Sequence, residues 1–389
     1  MSKNLMTASR QWATRPADER FWSVPELREH LTEIRQRSAQ RNVELSKMDV
    51  QPNGDDLHLI GPSGNAVNMS NWGFGQLCQN IGAPASYLSG LPSELACENI
   101  RHGLAHAKKD RVKVLLEQSA DKSSVQLRAM NSTDYSRIWD VEVCEKIQPA
   151  LDNGWRTPPA LAIGNGPSKI ATADDLIDYG KAGGYALQVG DKIGPAGVYR
   201  GDRSMFLFLV NPDRTTGDDS DDGGLCRGVF ISNSETGAAS FRISTFLLEA
   251  VCGNHIVWGA QEIKDLKMVH RGRANQRFGL ELSRWLRRYN QTAASAEAEM
   301  IRTAKGESLG RDRQAVIDNL FNRKALQLSK KDIGSAFDTA EQWEHTAMCA
   351  PTMAWGFVHG LTRYSQTMPT ADARHALDVA GGKILKLVS

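Results

Sequence analysis

RGVFISNSETGAASFRISTFLLEAVCGNHIVWGAQ, residues 227–261, is the stretch whose reading decides the fold. Two apolar runs, one around Val229, Phe230 and Ile231 and one around Phe241 and Ile243, flank a turn built from small residues. β-Branched and aromatic runs on either side of a Ser- and Gly-rich turn read as paired strands. Both runs are expected to be buried on at least one face, and the block ends in a Cys252-Gly-Asn254 step that reads as interior. It carries no standard catalytic grouping.

Further strands are expected upstream at residues 185–189, 198–200 and 205–210. Residues 112–117 and 124–130 are expected to pair across residues 119–122. Residues 57–60 and 66–69 flank Gly61-Pro-Ser-Gly64, the pattern of a short hairpin. Ser23-Val-Pro-Glu26 has the form of a capping box with Pro in the first turn, where its missing N–H costs little. Val24, Leu27, Leu31 and Ile34 then follow at helical spacing. Residues 71–107 read as short helices broken at residues 82–84 and at Pro92, and residues 131–151 as a helix capped by Ser132 or Thr133. Thr172-Ala-Asp-Asp175 is a second capping-box form, opening a helix that ends near Gly180. From about residue 262 the pattern is helical to the end.

The fold class is therefore α+β: a mixed, largely antiparallel β-sheet body flanked by helices, followed by an α-helical C-terminal region. The expected divisions are a loosely ordered segment at 1–20, a helical and hairpin region at 21–110, an α+β core at 111–261 and a helical region with a basic face at 262–389.

A chain of 389 residues is long enough for two or three units, each with its own core. Its formal net charge of +2 averages unlike segments. Acids crowd into Gly217-Asp-Asp-Ser-Asp-Asp-Gly-Gly224, while Arg and Lys crowd between residues 264 and 331. The six cysteines form no CxxC pair, which reads as reduced, buried thiols and a cytoplasmic protein. No apolar run approaches the roughly 18 residues of a membrane helix, so no membrane partner is expected.

The strongest physical signal is RGRANQRFGLELSRWLRRYN, residues 271–290. Wound as a helix, Phe278, Leu282, Trp285, Leu286 and Tyr289 form one apolar stripe. Arg273, Arg277, Arg284, Arg287 and Arg288 fall on another face, within an arc of roughly 100°. Glu281 is the only acid among them, so most of these guanidinium groups lack an i,i+4 partner. Unpaired arginines suit phosphate, because the planar fork can donate two hydrogen bonds to one phosphate. The alternative is a solvated face, or one paired with acids elsewhere in the fold. Nucleic acid is favoured by the basic residues that follow: Arg302, Lys305, Arg311, Arg313, Arg323, Lys324, Lys330 and Lys331. Tyr135 and Arg137 sit where a strand is expected to meet a helix, a position that presents side chains to ligands, and complete the nucleic-acid set. Trp139 is a further stacking candidate whose simpler role is core packing.

Asp218, Asp219, Asp221 and Asp222 are weak candidates to wrap a divalent cation. The run lacks the downstream Glu of an EF-hand loop, and clustered acids between glycines usually mark a solvated hairpin tip. His102 and His106 share a helix face but have no local third ligand, and Glu341, Glu344 and His345 form an ordinary surface mixture. Gly164-Asn-Gly166 is too short for a phosphate-binding fingerprint, and neither a P-loop nor a GxSxG elbow occurs. No catalytic residue, metal or cofactor is assigned.

Three places carry a resemblance: the junction at residues 128–137, the block from Ser232-Asn-Ser234 to Asn254, and Thr352-Met-Ala-Trp355 running to Tyr364. On these the chain resembles a family of phage- and plasmid-borne proteins of unknown function. Where the family pattern often has Cys-x-Asn-Gly, this chain has Cys252-Gly-Asn254-His255, which alters a turn because His tolerates positive φ less readily than Gly. The resemblance implies a protein of a mobile element and no established reaction. Together with the basic face it leads to an expected nucleic-acid-binding protein, an oligomeric single-strand DNA binding or annealing factor in recombination or replication. The alternatives are a protein-binding regulator or anti-defence factor, and a metal-dependent nuclease using the acids at 218–222.

Overall fold

A computed structural model describes residues 17–158, 160–162, 167–176, 187–216, 225–249, 256–258, 266–291, 295–342, 349–365, 367–368 and 371–388. The chain is α+β, with two six-stranded sheets dominated by antiparallel pairs and a helical C-terminal region.

α1 (Val24–Gln36) opens as its sequence implies: Ser23 Oγ accepts from the Glu26 N–H, and the Glu26 carboxylate accepts from the Trp22 N–H. Its apolar face, Val24, Leu27, Leu31 and Ile34, is buried. The first sheet follows, made of β1 (Ser38–Glu44), β2 (Asp49–Asn53), β3 (Asp56–Ile60), β4 (Ala66–Met69), β5 (Arg111–Gln118) and β6 (Val125–Asn131). Its order is β1-β5-β6-β4-β3-β2, and only β4 and β6 run parallel. The hairpins expected at residues 57–69 and 112–130 are both present. Strand β1 pairs with β5 along seven residues, so the division expected at residue 110 runs through this sheet. α2 (Asn71–Ile81), α3 (Ala85–Leu88) and α4 (Ser93–Ala105) lie between β4 and β5, and α2 and α4 pack on the sheet.

The helix expected from residue 131 begins only at Asp140, as α5 (Asp140–Asp152), with Trp139 rather than Ser132 or Thr133 at its cap. After a turn closed by the Tyr135 N–H on the Ser132 carbonyl, the chain is held non-helical up to Trp139 by tertiary hydrogen bonds. Tyr135 bridges to Arg271, and the Ser136 N–H donates to the His270 carbonyl at 3.1 Å. A small three-stranded sheet comes next: β7 (Ala160–Leu161), β8 (Lys169–Ile170) and β9 (Lys192–Gly194). The capping box at Thr172 closes on Asp175 and opens a 3-10 turn over Ala173–Asp175; residues 177–180 of the expected helix lie outside the described residues. Residues 187–189, expected in a strand, are not extended into one.

The second sheet contains β10 (Val198–Arg200), β11 (Met205–Thr216), β12 (Leu225–Asn233), β13 (Phe241–Glu249) and β14 (Ile256–Trp258), with β15 (Leu266–Met268) also on β13. Its apolar strands read almost without alternation because both faces are covered. Val198, Met205, Leu207, Leu209, Val229, Ile231 and Ile243 join one core with α1, α5 and α6 (Ala274–Gln291). Tyr199, Phe206, Phe208, Phe230 and Phe246 form a chain of ring contacts, with centroids 4.8 to 6.3 Å apart. Val229, Phe230, Ile231, Phe241 and Ile243 are all fully buried, as the opening stretch implied.

α7 (Ser295–Gly306), α8 (Arg313–Asn322), α9 (Lys330–Gln342), α10 (Ala354–Ser365) and α11 (Ala371–Val388) share a separate core. The Thr-x-x-Trp segment is α10, sandwiched between α9 and α11. Gly360 is required there, since a Cβ would run into the Ala336 carbonyl and Ala340. α11 meets β14 and α7 meets β11, joining this region to the second sheet. Among the described residues no helix is long and apolar enough to cross a membrane.

Candidate nucleic-acid interface

α6 is fixed to the body from three sides. At its start the Ser136 hydroxyl accepts from the Asn275 N–H at 2.9 Å and donates to Asn275 Oδ1 at 2.8 Å. Along its inner face Phe278, Leu282, Trp285, Leu286 and Tyr289 are buried, the stripe the sequence defines. Near its end the Arg227 guanidinium lies 5.0 Å from the Tyr289 ring and donates to the Tyr289 carbonyl at 3.3 Å. Trp155 Nε1 donates to Asn290 Oδ1 at 3.1 Å. These contacts anchor the helix backbone and so set the spacing of what it presents outward.

It presents arginine. Arg273, Arg277, Arg284, Arg287 and Arg288 are all exposed, and the Arg277 and Arg284 side chains keep 69% and 63% of their accessible surface. Glu281 lies 3.9 Å from both, at the limit of an ion pair and beyond hydrogen-bonding distance. An exposed pair of that length contributes at most about 1 kcal/mol. Among the described residues the side chains of Arg273 and Arg287 have no partner. Leu280, 56% exposed, lies inside the same arc.

The basic residues further on behave differently. Arg313 forms a two-pronged pair with Asp338 at 2.6 and 2.9 Å, Lys330 pairs with Asp318, Arg311 with Asp312 and Arg302 with Glu299. Arg323 donates to Asn319. Their charge is largely answered by local acids, which leaves α6 as the concentrated basic surface.

Tyr135 and Arg137 are not on that surface. The Tyr135 hydroxyl donates to the Ser234 carbonyl at 2.8 Å and its ring stacks on His270 at 5.2 Å. Burial pushes the Tyr135 phenol up and brings His270 down to about 4. Arg137, 3% exposed, donates to Gln40 Oε1 and Asn131 Oδ1. Trp139 is half-buried, with the Arg35 guanidinium 4.0 Å from its ring. Arg137 is buried and Tyr135 and Trp139 are half-buried near the junction of the sheets, apart from the arginine row of α6. Asp218, Asp219, Asp221 and Asp222 lie outside the described residues, as do Glu344, His345 and the Cys252–His255 step. The His102 and His106 rings sit 4.3 Å apart.

Where the two sheets meet lies a charge network that composition and local spacing do not reveal. The Ser232-Asn-Ser-Glu-Thr-Gly237 turn, between β12 and β13, inserts there and is almost wholly buried. The Thr236 carbonyl accepts from Trp72 Nε1, Gln76 Nε2 and Asn131 Nδ2 at 3.0 to 3.1 Å. Gly237 has φ +84°, and a Cβ would meet Asn131 and the Tyr135 ring. Glu235, 3% exposed, pairs with Arg128 at 3.1 Å and lies 3.9 Å from Arg200. It also accepts from the backbone N–H of Asp140 at 2.9 Å. Burial pushes the Glu235 carboxyl up, but Arg128 and Arg200 more than offset this and its pKa falls. Asp140 moves the other way, raised by burial and by the negative Glu235 beside it. The signal available in the sequence was a charged residue inside an apolar strand, Arg128 in VQLRAMN and Arg200 closing VYR.

Residues 185–377 match the model of a family described as a domain of unknown function (DUF932). The match takes in β10 to β15 and the helices from α6 to α10, and leaves the first sheet outside it. No curated protein and no solved structure matches the chain.

Proposed function

We propose that the protein binds nucleic acid along the outer face of α6, acting as a single-strand DNA binding or annealing factor, as a homo-oligomer, within a phage or plasmid genome. The observation that carries this reading is the row of five exposed arginines on a helix whose other face is locked into the core. The helix sets the spacing of the five side-chain stems, and Arg277 and Arg284 lie no closer than 3.9 Å to Glu281. A strand backbone presents acceptors in such a row, and recognition of this kind needs neither a nucleotide motif nor a metal. The phage or plasmid setting and the annealing role rest on the sequence resemblance.

The test is fluorescence anisotropy with labelled single- and double-stranded oligonucleotides. The expected result is tighter binding of the single strand, with the oligonucleotide intact afterwards whether or not Mg²⁺ is present. Absence of binding to either at low salt defeats the proposal. Cleavage in Mg²⁺ turns the reading toward the acids at 218–222.

A further inference from the structure

Where the two sheets meet, a cavity of about 350 Å³ opens between the β4–α2 junction, strands β5 and β6, and the turn after β10. Ser70, Asn71, Gln126, Arg128 and Arg200 line it. Its size lies in the range of small-molecule sites. We infer that this cavity is a phosphate-binding site separate from α6, taking the phosphate group of a nucleotide or of a strand terminus.

In its lining Arg128 and Arg200 are matched in formal charge by Glu117 and Asp202. Arg37 and Arg137 stand behind the lining with Glu235 and Asp140 in the same network. What the cavity has in excess is hydrogen-bond donors. Arg37 Nε, Arg137 Nη1, and Arg200 Nε and Nη2 are buried without an acceptor among the described residues. Arg200 stands 3.8 and 3.9 Å from its two carboxylates, so it feels their charge without bonding to them. Buried guanidinium nitrogens normally have acceptors, and an oxyanion in the cavity supplies them to Arg200, the one of the three in its lining.

The third element is the start of α2, an 11-residue helix. Ser70 caps it by accepting from the Gly73 N–H at 3.0 Å and, through its carbonyl, from the Phe74 N–H at 2.8 Å. The Asn71 and Trp72 N–H groups have no acceptor among the described residues, and Asn71 lies on the cavity wall. A helix N-terminus of this kind favours an anion. Two acids also border the cavity. Glu117 is held between Arg37 at 3.4 Å and Arg128 at 3.3 Å, and Asp202 is exposed at the rim. They match Arg128 and Arg200 in formal charge, so it is the unpaired donors that favour an anion here.

The experiment is isothermal titration of the full chain with deoxyadenosine monophosphate, deoxyadenosine, and a trinucleotide with and without a 5′-phosphate. The expected result is saturable binding that requires the phosphate. The monophosphate binding best marks a free nucleotide as the source, and the phosphorylated trinucleotide binding best marks a strand end. Asn71→Asp places a carboxylate at the helix N-terminus, where it does not harm the helix, and should weaken phosphate binding about tenfold or more. Arg200→Gln should do the same. Binding of the nucleoside as tight as that of its monophosphate, or wild-type affinity in Asn71→Asp, overturns the inference. The same Asn71→Asp variant should keep the full salt dependence of long-oligonucleotide binding, so this site and the α6 reading fail separately.

Discussion

The protein carries two sets of arginines in opposite environments. Arg128, Arg137 and Arg227 are between 1% and 6% exposed and find carboxylates, amides, carbonyls or aromatic rings within the fold. Arg273, Arg277, Arg284, Arg287 and Arg288 are exposed on α6, where Arg277 and Arg284 lie 3.9 Å from Glu281 and the side chains of Arg273 and Arg287 have no partner among the described residues. A buried guanidinium without its partner is costly, so the first set is committed to the fold: Arg128 ties the two sheets through Glu235, and Arg227 anchors α6. An exposed one is solvated, so the second set adds little to stability and is left available for a ligand. Arginine alone says nothing about role; the partners decide it.

This contrast can be broken first at Glu235. Glu235→Gln leaves Arg128 without one of its charges and should cost about 3–5 kcal/mol in chemical denaturation. A loss below about 1 kcal/mol would mean that the network is not what joins the sheets. Next is Gly237, where φ is +84° and Asn131 and Tyr135 crowd the Cα. Gly237→Ala should destabilise by about 1–3 kcal/mol, measured by thermal or urea unfolding.

A smaller effect is expected from His270, which contacts Tyr135 in the same interior region. Burial, mainly, brings its pKa from 6.5 down to about 4. Between those values the unfolded chain holds the proton that the folded chain has released. Stability from this group is therefore complete above pH 6.5 and lost as the pH falls toward 4, at no more than about 1.4 kcal/mol per pH unit. Comparing wild type with His270→Gln across that range isolates the contribution, because the variant should lack it. Identical pH profiles would contradict the burial of a neutral imidazole. The smallest stability change belongs to α6, where each Arg→Gln substitution should stay within about 0.5 kcal/mol.

The second sheet was legible because its strands are apolar and a small-residue turn separates its two central ones. The α6 stripe was legible because an 18-residue helix repeats its period several times. The start of α5 was not. Ser132 and Thr133 offer good caps, but contacts of Tyr135 and Ser136 with residues 270–271 keep the chain non-helical until Asp140. Likewise β1 and β2 carry mixed polar sequences, SAQRNVE and DVQPN, that become strands through pairing with β5 and β3. Tyr135 and Arg137 were assigned to the surface on chain position, while their partners, Ser234, Gln40 and Asn131, come from three separate segments. Long-range partners of this kind leave no local trace. The exposed arginine row did leave one, since its spacing and its scarcity of acids are both local properties.

The most direct measurement of the central claim is the salt dependence of single-strand DNA binding by wild type and by an Arg277→Gln/Arg284→Gln/Arg287→Gln triple variant. Each phosphate contact to a single strand contributes about 0.7 to the slope of log K against log salt. The account predicts a fully folded variant whose slope is shallower by about 2. An unchanged slope with unchanged affinity would contradict it and remove α6 as the binding face.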